Sequence, residues 1–362
     1  MAASDPKLRP AIQRLLIVRL GSMGDVVHTL PAAAALRQAF PDATIGWLIE
    51  ERWAELLCTL PEPRSGPRSL RRPIVDRVHV VDTKKWRKDL ASAQTWERMA
   101  ASLSELRAPR YQIAVDFQGA VRSALLARWS GAPTIYGTMQ PRENIASMIC
   151  SRQVIVSGTH VVEQNLSLAA AITGIPLQPS TIELPTDECA EVRCENWLRE
   201  RSITRFVLLN PGAGWGAKQW PAERYGAAGK KLAQHGLKPL INFGPGEEEL
   251  ARSVEDASEG AAETVSSSLT QLIALSRRAS LFIGGDTGPM HLAASLGIPV
   301  VAIFGPTDPA RNGPYGARSV VLRSPDSMTS HKRRVEPEAG LLAISVEDVV
   351  RAACRLMEEG NG

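Results

Sequence analysis

Four short stretches of this chain put charged side chains directly after glycine-rich turns. Asp25 follows Gly21-Ser22-Met23-Gly24, where glycines let the backbone turn sharply at the end of an apolar run. A carboxylate there can accept a proton from a hydroxyl, or simply cap the helix that starts at Val26. Lys218 lies in NPGAGWGAKQWP, Asn210 to Pro221, where a lysine can neutralise a leaving diphosphate or stand as a surface cation. Ala213 and Gly214 carry no hydroxyl, so phosphate contacts at these positions would fall to backbone amides. Glu247 and Glu248 follow Phe243-Gly244-Pro245-Gly246 at a helix start. One of them can accept from both ribose hydroxyls, and the helix dipole explains an acid there equally well. Gly284 to His291, GGDTGPMH, delivers a strand into a helix start whose free amides suit a phosphate near Thr287 and Gly288. Asp286 or Thr287 can cap that helix, Asp286 can also bond a sugar hydroxyl, and His291 lies one turn on. A nucleotide is the natural guest. His28, one turn beyond Asp25, either orients that carboxylate or is a core histidine.

The elements that must carry these residues alternate. Strands are predicted at Leu15 to Val18, Thr44 to Ile49, Val78 to Val81 and Ile113 to Phe117, with helices after Asp25 and at Trp53 to Leu60, Thr95 to Leu106, Val121 to Trp129 and Val161 to Ile172. Pro31 should kink the first helix, or Thr29 should open a second one. The second half repeats the scheme, with strands Phe206 to Leu209, Pro239 to Phe243 and Leu281 to Ile283. Its helices are Glu223 to Gln234, Glu247 to Ala257, Thr270 to Arg277 and the one ended by Gly297 and Pro299. Alternation of this kind predicts α/β architecture with parallel sheets. A chain of 362 residues is long for one core, so two domains are expected, 12–176 and 188–344, joined by the proline-rich linker 177–187. Residues 345–359 form an amphipathic helix expected to pack back on the first domain.

The string GGDTGPMHLAASLGIPVVAIFGPTDP, with Asn312 to Gly316 beyond it, resembles the donor-binding signature of the ADP-heptose:lipopolysaccharide heptosyltransferases, glycosyltransferase family 9. Leu15 to Ala32, LLIVRLGSMGDVVHTLPA, resembles the other signature of that family. KKWRK (Lys84 to Lys88), FQGAVRSA (Phe117 to Ala124) and PRENIAS (Pro141 to Ser147) look most like the branch that adds the first heptose. The resemblance thins near Pro61 to Pro73 and after Arg318. It implies a GT-B fold, two Rossmann-like domains with parallel sheets facing a cleft, the first binding acceptor and the second ADP-sugar. It also implies an inverting transfer of heptose from ADP-heptose to Kdo of Kdo-lipid A. Asp25 would be the general base and Lys218 the diphosphate contact. Gly214, Glu247, Glu248, Asp286, Thr287, Gly288 and His291 would complete the donor site. Ser22, Met23 and Gly24, with Arg71, Lys84, Arg122 and Arg142, would face the acceptor. A relative with another acceptor or ADP-sugar would share the fold and Asp25, and a nucleotide-sugar-binding protein without turnover is the reading from a different class.

Charge sharpens the acceptor side. Nine Lys or Arg between Arg64 and Lys88 face only Asp76 and Asp82, although the whole chain carries just +4. Such a tract, with Trp86, suits an anionic lipid acceptor and an inner-membrane surface, or is a solvated face. No recognition motif accompanies it, which disfavours nucleic acid. No D-x-D pair occurs, so no metal is expected to be strictly required, and no cofactor beyond the donor substrate. Five scattered cysteines without a zinc-like pattern read as reduced thiols. The polar start lacks a signal-like apolar stretch, and no apolar run reaches the roughly 18 residues of a spanning helix. These features predict a monomer in the cytoplasm, peripheral to the inner membrane.

Overall fold

The computed structural model describes residues 12–359 apart from 90, 331 and 333, so most of the polar start lies outside the described residues. The first sheet has strands β1 (Arg14–Val18), β2 (Thr44–Glu50), β3 (Arg77–Val81), β4 (Ile113–Asp116), β5 (Thr134–Thr138) and β6 (Arg152–Val154). Their order is β3-β2-β1-β4-β5-β6, every pair parallel. Leu15, Leu16, Ile17 and Val18 are all 0% exposed, because a central parallel strand is covered on both faces and its sequence is an unbroken apolar run.

The second sheet repeats the design. It comprises β7 (Phe206–Asn210), β8 (Lys238–Phe243), β9 (Glu263–Ser266), β10 (Leu281–Gly285), β11 (Val300–Phe304) and β12 (Ser319–Arg323). Their order, β12-β11-β10-β7-β8-β9, is the same doubly wound order counted from β7. In such sheets the strand order reverses between the first and fourth strands, and ligands gather beyond the carboxyl ends there. The two reversal points are β1/β4 and β7/β10.

The chain divides into two compact units. Among the described residues, one holds 12–21, Thr29–Ser157 and Gln164–Glu183; the other holds Ser22–His28, Gly158–Glu163 and 184–359. Helix Met23–Ala39 therefore gives its first turns to the second unit, an assignment that the sequence boundaries did not make. The helix also continues as one element through Pro31, so Thr29 does not open a second helix. Proline removes one backbone bond there, but the residues after it, Ala32 to Leu36, are buried at 8% exposure or less, and their packing outweighs the loss.

The final helix corrects another expectation. Val346–Glu358 turns Val349, Ala352, Ala353 and Leu356 into the core of the second unit, in one cluster with Leu232, Val301 and Ile303. Its apolar stripe matches the face of the second sheet beside β11 and β12. Leu356 is 2% exposed, so Leu356→Ala should cost roughly 3 kcal/mol of stability. Urea unfolding checks this, and a loss below about 1 kcal/mol would return the helix to a peripheral role.

Candidate active site

Three loops of the second unit meet at the β7/β10 reversal point. The loop leaving β7 ends in the short helical turn Gly216–Lys218, the loop leaving β10 carries Asp286, and the loop leaving β8 carries Glu247. Buried amides hold the first of these in place. Asn242 donates to Asn210 Oδ1 at 2.7 Å, and Asn210 donates to the Gly212 carbonyl at 3.2 Å.

Asp286 is the centre of the cluster. Its Oδ2 is 2.5 Å from Lys218 Nζ and its Oδ1 is 3.1 Å from His291 Nε2. Burial opposes its ionisation, but His291 and Lys218 outweigh that cost and hold the carboxyl well below the usual carboxylate range. The side chain therefore does not cap the following helix, as one sequence reading allowed. Thr287 takes the cap position with no side-chain cap bond, and Pro289 is tolerated in the first turn of Gly288–Ser295. Lys218 is not the surface cation of the other sequence reading, since its side chain is 15% exposed. Its charge already has a buried partner, so a diphosphate would share it with Asp286.

Glu247 and Glu248 separate cleanly. Glu247 accepts from Gly244 N at 2.9 Å and lies against Gly212 of the Lys218 loop. Glu248 is exposed and accepts from Gly246 N at 3.2 Å. Gly214 is exposed with open space around it.

The start of helix Met23–Ala39 seats against this cluster. A Cβ on Gly24 would lie 2.6 Å from His291 Cδ2, and one on Gly288 would lie 2.7 Å from Met23 Cβ. Only glycine permits either approach. Asp25, one residue on, accepts at Oδ2 from Ser22 N at 2.8 Å and Ser22 Oγ at 3.1 Å. The helix opens at Met23, so Asp25 lies inside its first turn and reaches back to Ser22 rather than capping a helix that starts at Val26, and it stands next to the donor motif.

Sequence reading missed the histidine row behind these residues. The His28 ring lies 4.1 Å from His291 and 5.3 Å from His160, and His160 lies 4.8 Å from Tyr315. His160 accepts at Nδ1 from Val162 N, which leaves Nε2 to donate to the Gly313 carbonyl at 3.1 Å. That pairing requires the neutral ring, and burial likewise lowers its pKa. No spacing in the sequence ties His160 to residues more than a hundred positions away. Thr307 was also missed; its hydroxyl, that of Thr287 and His291 Nδ1 are buried without a partner among the described residues.

Lys84, Arg122 and Arg142 sit after the carboxyl ends of β3, β4 and β5 in the first sheet. Arg122 donates to Thr83 Oγ1 at 2.7 Å, beside exposed Lys84, and exposed Arg142 precedes Glu143, whose amide donates to the Gly119 carbonyl. Arg71 is half-buried in the preceding loop. The basic tract is not one solvated face. Arg72 is 1% exposed and donates to the carbonyls of Pro63 and Pro67, Arg64 pairs with Glu51, and Lys85 pairs with Asp82. Among the described residues, no three His, Cys, Asp or Glu side chains are grouped to hold a metal ion.

Two doubly wound halves, the second with a phosphate-ready helix start and a buried Lys-Asp-His cluster, define a glycosyltransferase of GT-B architecture. The chain belongs to glycosyltransferase family 9 (heptosyltransferase), whose model matches residues 99–341. It is 30% identical to lipopolysaccharide heptosyltransferase 1 of Pseudomonas aeruginosa, over 86% of this chain and 84% of that protein. Lipopolysaccharide heptosyltransferase 3 of Escherichia coli is 25% identical, over 93% of this chain and 96% of that protein. Among solved structures, E. coli heptosyltransferase WaaC with ADP superposes with a TM-score of 0.74 at 27% identity, covering 97% of this chain and all of that one.

Removing the central carboxylate has a defined pH signature. Asp286 ionises more readily in the folded protein than at its ordinary value of 3.8, so its stabilisation is present above that pH and is lost as pH falls through the folded value. Asp286→Asn should cost about 3 kcal/mol at neutral pH, shrinking below about pH 4. Denaturant midpoints across pH check this; a difference independent of pH would contradict it.

Proposed function

We propose that this chain transfers L-glycero-D-manno-heptose from ADP-heptose to the Kdo of Kdo-lipid A in the lipopolysaccharide inner core. One observation carries the reading. Gly24 against His291, with Met23 against Gly288, seats Asp25 beside the helix start that suits a diphosphate. The names of the relatives support the substrates, lipopolysaccharide heptosyltransferase 1 at 30% identity and a 27%-identical structure solved with ADP-2-deoxy-2-fluoro heptose.

In this mechanism the acceptor hydroxyl gives its proton to Asp25 as its oxygen attacks the anomeric carbon. The bond from that carbon to the diphosphate oxygen breaks on the opposite face, so configuration inverts, and ADP leaves. The growing diphosphate charge meets Lys218 and the amides that open helix Gly288–Ser295. Those groups supply the counter-charge, so no metal is strictly required. Glu247 rather than Glu248 takes the ribose, because it alone turns toward the Lys218 loop. Arg71, Lys84, Arg122 and Arg142 hold acceptor carboxylates or phosphates. Among the described residues no helix is long and apolar enough to cross a membrane, and the enzyme meets its lipid acceptor peripherally, at the cytoplasmic face.

Relatives named heptosyltransferase 3 favour a second reading, in which the acceptor already bears heptose. ADP release in EDTA, with Kdo-lipid A or a heptosylated acceptor, separates the two. Release with Kdo-lipid A is expected, and Asp25→Asn should lower kcat by about a hundredfold or more while ADP binding persists. Release confined to the heptosylated acceptor would select the second reading. An Asp25→Asn rate within a few-fold of wild type would remove Asp25 as the base.

A further inference from the structure

The helices Val121–Trp129 and Asn144–Ile149 of the first unit pack against each other and bury Ala124, Ala127 and Ala146. Their outward faces are apolar as well. Leu125 and Trp129, four apart on the first helix, are 43% and 41% exposed; Ile145 and Met148, three apart on the second, are 62% and 80% exposed. Both pairs lie on one face of their helix. Just beyond, Met139 and Ile155 are exposed where β5 and the edge strand β6 end, adjacent through the bond from Met139 N to the Val154 carbonyl.

Charge on this surface is mostly positive. From Val121 to Ile155 there are four basic residues, Arg122, Arg128, Arg142 and Arg152, all exposed, against Glu143 alone. Glu143 is itself engaged, since it accepts from Val121 N at 2.9 Å. Arg122 lies 3.8 Å from Glu50, but the arginines outnumber the acids. Exposed tryptophan, isoleucine and methionine among such arginines form an interfacial surface, in which apolar side chains enter the acyl boundary and the guanidinium groups meet headgroups. A second copy of the same face would bring arginines against arginines with too few acids between them, so an anionic partner fits better.

We infer that the Val121–Trp129 and Asn144–Ile149 helices are the membrane-docking face of this protein, and that its partner is an anionic lipid surface. The assignment moves the membrane contact away from the Arg64 to Lys88 tract, several of whose charges are buried or paired. It gives the proposed lipid-anchored acceptor its place, and to that extent rests on that reading. Arg122 and Arg142 lie at the carboxyl ends of the sheet, so a lipid bound at these helices would present its headgroup on the acceptor side.

Vesicle co-sedimentation of the full chain, without donor or acceptor, tests the inference independently of heptosyl transfer. The probes are phosphatidylglycerol–phosphatidylcholine vesicles and vesicles of phosphatidylcholine alone. Wild type should prefer the anionic vesicles and dissociate as salt is raised. Ile145→Asp with Met148→Asp should lower partitioning about tenfold, and Arg128→Ala with Arg152→Ala should remove the anionic preference. All four positions are exposed, and unchanged thermal melting verifies the fold. Equal partitioning of wild type into both vesicle types, or undiminished binding by the Ile145/Met148 variant, would overturn the proposal. So would a wild-type dimer that the same variant dissociates, because the face would then belong to a second copy.

Discussion

A buried carboxylate held between an ammonium and an imidazole organises the second half of this protein. Asp286 cannot sit at 8% side-chain exposure as an anion unless Lys218 and His291 both face it. Meeting that requirement fixes where the β7 loop ends, how the helix after β10 begins and which edge of His291 is left to pack. The remaining edge of His291 receives Gly24. A demand of burial electrostatics thus reaches the helix carrying Asp25, a residue more than 260 positions earlier in the chain.

The same pairing bears on catalysis. Lys218 is not a free cation awaiting phosphate, since its charge is shared with Asp286 before any donor arrives. In the proposed transfer an incoming diphosphate would compete for a partner already oriented, which costs less side-chain entropy than recruiting a mobile surface lysine. The histidine row beyond contributes shape more than charge. His160 is locked neutral by one donor and one acceptor, so His28 packs against a ring of fixed orientation.

The sequence made the site's membership more legible than its wiring. Gly-rich turns after apolar runs mark anion sites whatever the fold, so Asp25, Lys218, Glu247 and Asp286 stand out from local chemistry alone. What they touch depends on distant segments, which is why the Lys218–Asp286 pair and His160 went unseen. The long central strands were readable because burial on both faces makes them continuously apolar. Short or half-exposed ones were not; β6 is three residues with two exposed, β9 carries little apolar pattern, and β12, though it holds the run Val320-Val321-Leu322, buries none of its residues fully. The last helix was recognisable from its apolar stripe, but a stripe does not name the surface that covers it. The alternative of a second helix start at Thr29 failed because backbone rules were weighed without the surrounding packing.

The central claim is that the turn presenting Asp25 and the helix receiving the donor are one packed piece, joined where Gly24 meets His291. Gly24→Ala adds a methyl that would lie 2.6 Å from a ring already fixed by Asp286 and His28. Transfer kinetics and ADP affinity of that variant, beside its melting temperature, are the most direct measurement. A folded variant that has lost transfer and binds ADP more weakly is the predicted result. Wild-type rates and ADP affinity in the folded variant would show that the two helix starts work apart.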